Sequence, residues 1–340
     1  MFLDERKFMI LRAIIDDYIM TAVPVGSRTI SRKAGVGFSP ATIRNEMSDL
    51  EELGYLAQPH TSAGRIPSTK AYRLYVDHLL KEGMVNRDEV RRMSGYLNIR
   101  CGQVGDVIRS AAQALSDMTN YTALISAPQL ESLRIRRVQF VPLSEHNALM
   151  IVVTNAFVIK DLVIRLPDGV DDETLSGLSR MLTRELQDLC ISQVRARFEE
   201  LSRHLTENRK LLVEVLDVLE NQLAERESRQ MVVGGSSNLL NYPEYADVRK
   251  ARDFLSVLES RERLFPLLRH AGGMEFSIRI GPENDLPELS DCSVITAVYR
   301  VGDHSTGTMG VIGPTRMQYG KVLSALSYMG RAITDILSEE

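Results

Sequence analysis

In the N-terminal quarter of the chain, apolar residues recur at helical spacing in short blocks separated by breakers. Phe8, Leu11, Ile14, Ile15 and Tyr18 fall at three- and four-residue steps, which predicts a helix over 4–20 with one inward stripe. Pro24 and Gly26 end it. A second, short helix is expected over 28–34, capped by Ser27, with Ile30 and Ala34 inward and Arg28, Arg32 and Lys33 outward. After the connector Gly35-Val36-Gly37-Phe38 comes the most legible block, Ser39 to Leu53. The Ser39 hydroxyl can accept from a free amide of the first turn, and Pro40 suits a position where its missing N–H costs nothing. Gly54 stands where a left-handed stop belongs. Ile43, Met47, Leu50 and Leu53 share the inner side, while Ala41, Arg44, Asn45 and Ser48 share the outer. Two helices joined by a short glycine-containing turn make a helix-turn-helix.

The pattern then changes. Tyr55 to Gln58 reads as a strand, 59–65 as a polar loop, and Ile66 pairs back before Pro67. This two-stranded ribbon after the third helix predicts a winged helix. Ser68 caps a further helix with Tyr72, Tyr75, Val76 and Leu79 inward and Lys70 and Arg73 outward.

The outer face of the Ser39 helix has the chemistry to read DNA. Arg forks onto guanine O6 and N7, and Asn onto adenine N6 and N7. Asp49, Glu51 and Glu52 crowd the other end, so the helix would enter a major groove by its N-terminal half. Ala41, Thr42, Arg44, Asn45 and Ser48 are the candidates for base edges. Ser27, Arg28, Thr29, Arg32, Lys33 and Ser39 are candidates for phosphate, as are Lys70 and Arg73 and the wing residues His60, Thr61, Ser62 and Arg65. Few carboxylates oppose the cations of this set in the pattern. The alternative is a winged helix that binds protein, its cations merely solvated.

Composition narrows the picture. The 340 residues predict two or three domains, and the net charge of −4 means that any polyanion must be met by a local basic patch. Cys101, Cys190 and Cys292 are far apart and odd in number, so neither a zinc site nor a disulfide framework is expected, and a reducing, cytoplasmic setting fits. Asp4 and Glu5 speak against a secretory signal at the start, and no apolar run reaches bilayer length.

Beyond a polar connector near 81–88, helices are expected over 90–97 and 104–118, strands over 133–141, 148–154 and 158–166, and a helix over 171–189. Strands resume over 274–280, 293–301 and 307–312. A last helix opens at Pro314 with Val322, Leu326, Met329, Ile333 and Ile336 inward. This order predicts an α+β multidomain chain with an antiparallel sheet. Val194, Phe198, Leu201, Leu205, Asn208, Leu212, Val215 and Leu219 alternate in steps of four and three, as does Gln222. That seam suits either a subunit contact or an intramolecular bundle. The stretch 302–310 is expected to be a hairpin turn rather than a phosphate loop, and 234–238 a flexible loop. No catalytic motif, metal site or cofactor fingerprint is present.

Three segments carry a family likeness. Pro24 to Arg28, Ser39 to Met47 and His60 to Pro67 resemble signature stretches of the bacterial heat-inducible transcription repressors, the HrcA family. The resemblance implies a homodimeric repressor of chaperone operons on double-stranded DNA, bound at an inverted-repeat operator, released on heat stress and modulated by a GroE-type chaperonin. It implies a winged helix-turn-helix over 1–82, a linker and helix over 83–102, and a GAF-like α+β domain over 103–190 and 270–340. A mainly helical dimerisation domain would be inserted over 191–269. Neither an enzyme nor a membrane partner is implied. The alternative is a winged-helix regulator that answers to a small molecule bound in the GAF-like domain.

Overall fold

A computed structural model of the chain describes residues 3–33, 35, 37–60, 63–81, 104–128, 134–154, 159–167, 169–190, 193–194, 196–197, 215, 231–268, 275–301 and 305–338. The N-terminal part holds helices α1 (Glu5–Thr21), α2 (Ser27–Ser31) and α3 (Pro40–Glu52), the antiparallel pair β1 (Leu56–Ala57) and β2 (Ile66–Pro67), then α4 (Thr69–Lys81). Local chemistry sets the helix ends. Asp4 accepts from the Lys7 amide at 2.7 Å, and Ser39 accepts from the Thr42 amide at 3.1 Å, with Pro40 next in line. Gly54 takes the left-handed φ of +77° that closes α3. Ile10, Ile14, Ile30, Ile43, Leu50 and Val76 fill the core beneath.

Two details differ from the expectation. Helix α2 starts at Ser27 with Gly26 as its cap, so Ser27 is inside the helix and buried. The loop before β2 is also tied down: Val25 and Arg65 exchange both backbone bonds at 2.9 Å. Next to that bridge, a Cβ on Gly64 would stand 2.4 Å from the Val25 carbonyl oxygen, so only glycine fits.

The remainder contains α5 (Val104–Thr119), β3 (Thr122–Ser126), β4 (Ile135–Ser144), β5 (Asn147–Thr154), β6 (Ile159–Arg165) and α6 (Asp172–Leu186). It continues with β7 (Met231–Gly234), α7 (Val248–Glu259), α8 (Arg261–Leu268), β8 (Phe276–Ile280), β9 (Cys292–Val301), β10 (Ser305–Pro314) and α9 (Tyr319–Ser338). A five-stranded antiparallel sheet runs β7-β3-β10-β9-β8. One face packs on α5 and α9, through residues such as Ala123, Ile295, Val311, Leu115 and Leu326. The other packs on α7 and α8, through Leu124, Val294, Ile312, Phe254 and Leu264. Strands β4-β5-β6 form a separate antiparallel sheet, whose Val138, Met150, Val152 and Ile164 are buried against Leu178 and Leu182 of α6.

The sheets therefore group the chain differently from the boundaries expected at 190/191 and 269/270. β7, α7 and α8 join the five-stranded sheet, and β4–β6 leave it. The reason is that strand pattern reports burial, not partner. Two seam positions are described. Val194 and Val215 are buried in the core of the β4–β6 unit, as the intramolecular alternative expects. Phe198, Leu201, Leu205, Asn208, Leu212, Leu219 and Gln222 lie outside the described residues.

The stretch 234–238, expected to be a flexible loop, is a built turn. Gly235 has φ +62°, and the Asn238 amide donates to Ser116 Oγ at 2.9 Å. β9 and β10 pair antiparallel from Val301↔Ser305 onward, so 305–310 of the stretch expected to be a hairpin turn is strand; residues 302–304 lie outside the described residues. α9 opens at Tyr319 rather than Pro314, which still belongs to β10.

The N-terminal part is docked on this core. Arg73 of α4 forks onto Glu283, with 3.0 Å from Nε to Oε1, and donates to the Ile278 carbonyl at 2.7 Å. Arg316 is paired with Glu244, 3.1 Å from Nη2 to Oε2, and donates to the Ile19 carbonyl at 2.9 Å. Between them the rings of Tyr72 and Tyr75 lie 6.0 and 6.5 Å from that of Tyr319.

Candidate nucleic-acid interface

Helix α3 has the two sides its spacing predicts. Ile43, Met47 and Leu50 are buried, and Ala41, Arg44, Asn45 and Ser48 are exposed. Thr42 is half-buried, its hydroxyl 2.9 Å from Ser39 Oγ, so both side chains are engaged in the cap. Leu53 is half-buried at the helix end.

Three of the four acidic groups of α3 are neutralised from within. Glu46 is buried and paired with Arg6 and, at 2.9 Å, with Lys7; Lys7 also reaches Asp49 at 3.0 Å. Glu46 first and Asp49 second hold the Lys7 ammonium well above its ordinary range. Glu51 pairs with Arg65 at 2.8 Å. The Arg6-Lys7 pair at the start of α1 carries the signal for this network. The apolar pattern hides it, because Glu46 sits at the border of the two faces of α3.

The cations fall into two groups. Arg28, Arg32 and Arg44 are exposed, and none of them pairs with a carboxylate among the described residues. Thr29, Ser39 and His60 are exposed as well. The rest have partners inside the chain, which corrects the expectation that opposing carboxylates are few. Lys33 pairs with Asp17 at 2.7 Å, and Arg65 with Glu51. Lys70 donates to the Leu53 carbonyl at 2.9 Å and stands 4.5 Å over the Tyr55 ring. Arg73 faces Glu283 on the core, and Ser27 is buried, so neither side chain is presented for phosphate. Sequence could not foresee this, because the partners of Arg73 lie more than 200 residues away, separations of 205 and 210. Thr61 and Ser62 lie outside the described residues.

Chemistry of other kinds is not assembled here. Among the described residues no group of three or more His, Cys, Asp or Glu could hold a metal, and no helix is long and apolar enough to cross a membrane. Cys292 is buried beside the Tyr245 hydroxyl at 2.8 Å, and burial pushes its thiol up to about 12, so it is no nucleophile at neutral pH.

A model of the HrcA protein C terminal domain matches residues 105–323. The heat-inducible transcription repressor HrcA of Symbiobacterium thermophilum is 44% identical over 341 residues, covering 99% of this chain and 98% of the relative. Those of Brevibacillus brevis and Ruminiclostridium cellulolyticum are 40% and 41% identical, the first over 99% of both chains. The chain belongs to the HrcA family. Members named in this way are heat-inducible transcription repressors, not enzymes, and the chain is classed with them. The family model begins at residue 105, so the likeness of the N-terminal part to HrcA rests on the full-length relatives. The crystal structure of a hypothetical protein, 24% identical and covering 99% of each chain, shares the fold with a TM-score of 0.67.

Proposed function

We propose that this HrcA-family chain is a sequence-specific DNA-binding repressor of chaperone operons. It binds an inverted-repeat operator as a homodimer and lets go on heat stress. The N-terminal part acts as a winged helix-turn-helix, with α3 in the major groove, and the five-stranded unit acts as the GAF-like domain. One observation carries the reading. A helix that is apolar beneath turns Arg44 and Asn45 outward, while its Glu46, Asp49 and Glu51 carboxylates are tied to Arg6, Lys7 and Arg65. Arg44 and Asn45 meet base edges, with Ala41 and Ser48 close packed beside them. Arg28 and Arg32 take phosphates with Thr29, Ser39 and His60.

A two-fold pair of such heads demands a palindromic site. Modulation by a GroE-type chaperonin fits the topology. β3 and β10 pair across an intervening stretch that holds β4 to β9, and such non-local sheets fold slowly and expose sticky intermediates. The test is selection of bound sites from random duplex DNA. An inverted repeat is the expected result; recovery of no motif would overturn the reading.

A further inference from the structure

A cleft of about 260 Å³ lies on the α9 side of the five-stranded sheet, between the C-terminal half of α9 and strands β8 and β9. It is far along the chain from the reading head, and the proposed function makes no use of it. Its floor is apolar: Phe276, Ala297, Met309 and Leu326. Gly330 opens it on the helix side, where a Cβ would stand 2.8 Å from Met309 Cε. The rim carries equal numbers of opposite charges. Arg300 and Arg331 are exposed, as are Glu275 and Asp335, and none of the four is in an ion pair among the described residues. Ser327 lines the same cleft.

These features ask for a ligand. Two free guanidinium forks suit a carboxylate, and two free carboxylates suit an ammonium. The volume falls just below the ~300 Å³ at which drug-sized pockets begin, so the ligand must be small. We propose that this cleft binds a small zwitterion with an apolar body, of the size and kind of an apolar amino acid. Arg300 and Arg331 take its carboxylate, and Glu275 and Asp335 its ammonium. The body lies on Phe276, Met309 and Leu326.

The test uses the full chain without DNA, so its outcome is independent of the operator reading. Ligand-observed NMR and calorimetry would compare L-phenylalanine with 3-phenylpropionate, which lacks the ammonium, and phenethylamine, which lacks the carboxylate. Saturable binding of phenylalanine is expected, weakened roughly tenfold or more in each half-molecule by loss of a charge-assisted pair. Arg331→Ala, at an exposed position that leaves folding intact, should weaken phenylalanine and phenylpropionate but not phenethylamine. Gly330→Leu should close the cleft to all three, its folding checked by melting temperature. Absence of saturable binding to the wild-type chain, equal binding of all three probes, or an Arg331→Ala variant that binds as wild type would each overturn the proposal.

Discussion

At the scale of the residue, α3 separates two roles that its composition mixes. Arg44 is exposed and pairs with no carboxylate among the described residues, whereas Glu46, two positions on, is buried under Arg6 and Lys7. Arg44→Ala should therefore cost about 1–3 kcal/mol of operator affinity and relax preference at one base pair per half-site, as read by mobility shift on single-base variants. Arg32→Ala should weaken all sequences alike and flatten the salt dependence, since a phosphate contact releases counterions and reads no base. Glu46→Ala should leave sequence preference alone and lower stability by about 1–2 kcal/mol, visible in thermal melting, because it unties α1 from α3. Cys292, with its thiol pushed up to about 12 by burial, should stay unlabelled by a maleimide at pH 8 until denaturant is added. Arg44 and Asn45 were legible as an outward pair from spacing alone. The placement of the Arg73 side chain was not, because its partners Glu283 and Ile278 lie in a distant part of the chain.

At the scale of the element, boundaries follow local chemistry. The Ser39 cap and the Gly54 stop hold α3 where the sequence places it. Asp171 plays the same part for α6: bonds from the Thr174 hydroxyl and then its amide hold the carboxyl below its ordinary 3.8. Its folded pKa lies below the unfolded one, so the stabilisation is complete above about pH 4 and is lost as pH falls through the folded value. Asp171→Asn keeps an accepting oxygen without the titration, and its melting temperature should fall less steeply below pH 4 than that of the wild type. The segment before β2 makes a sharper case. Gly64→Ala should destabilise the N-terminal part, since the new methyl would meet the Val25 carbonyl at 2.4 Å and break the Val25–Arg65 bridge. An unchanged melting temperature would show that this contact has room to relax.

At the scale of the whole molecule, the head and core share one continuous set of buried residues, from Ile10 and Tyr72 to Tyr319 and Met329. Arg316 reaches across that junction to the Ile19 carbonyl while paired with Glu244. Arg316→Met should loosen the head, at a cost of about 1–2 kcal/mol. The loss stays below that of a fully buried pair, because Glu244 keeps 27% of its side-chain surface in water. Faster proteolysis between head and core and weaker binding to a full palindrome, with half-site binding retained, are the expected outcomes. Equal loss on full and half sites would show that the junction does not set head spacing.

The helices, their caps, the outward polar face of α3 and the strand-forming stretches were determined by the sequence itself. Each depends on residues within one or two turns of one another, and periodicity reports them directly. Which sheet a strand joins, which cations are already spent on carboxylates, and where Arg73 and Arg316 point were decided only in the tertiary structure. Pairing partners are chosen by packing between segments far apart in the chain, and a strand's own pattern says that it is buried without saying against what.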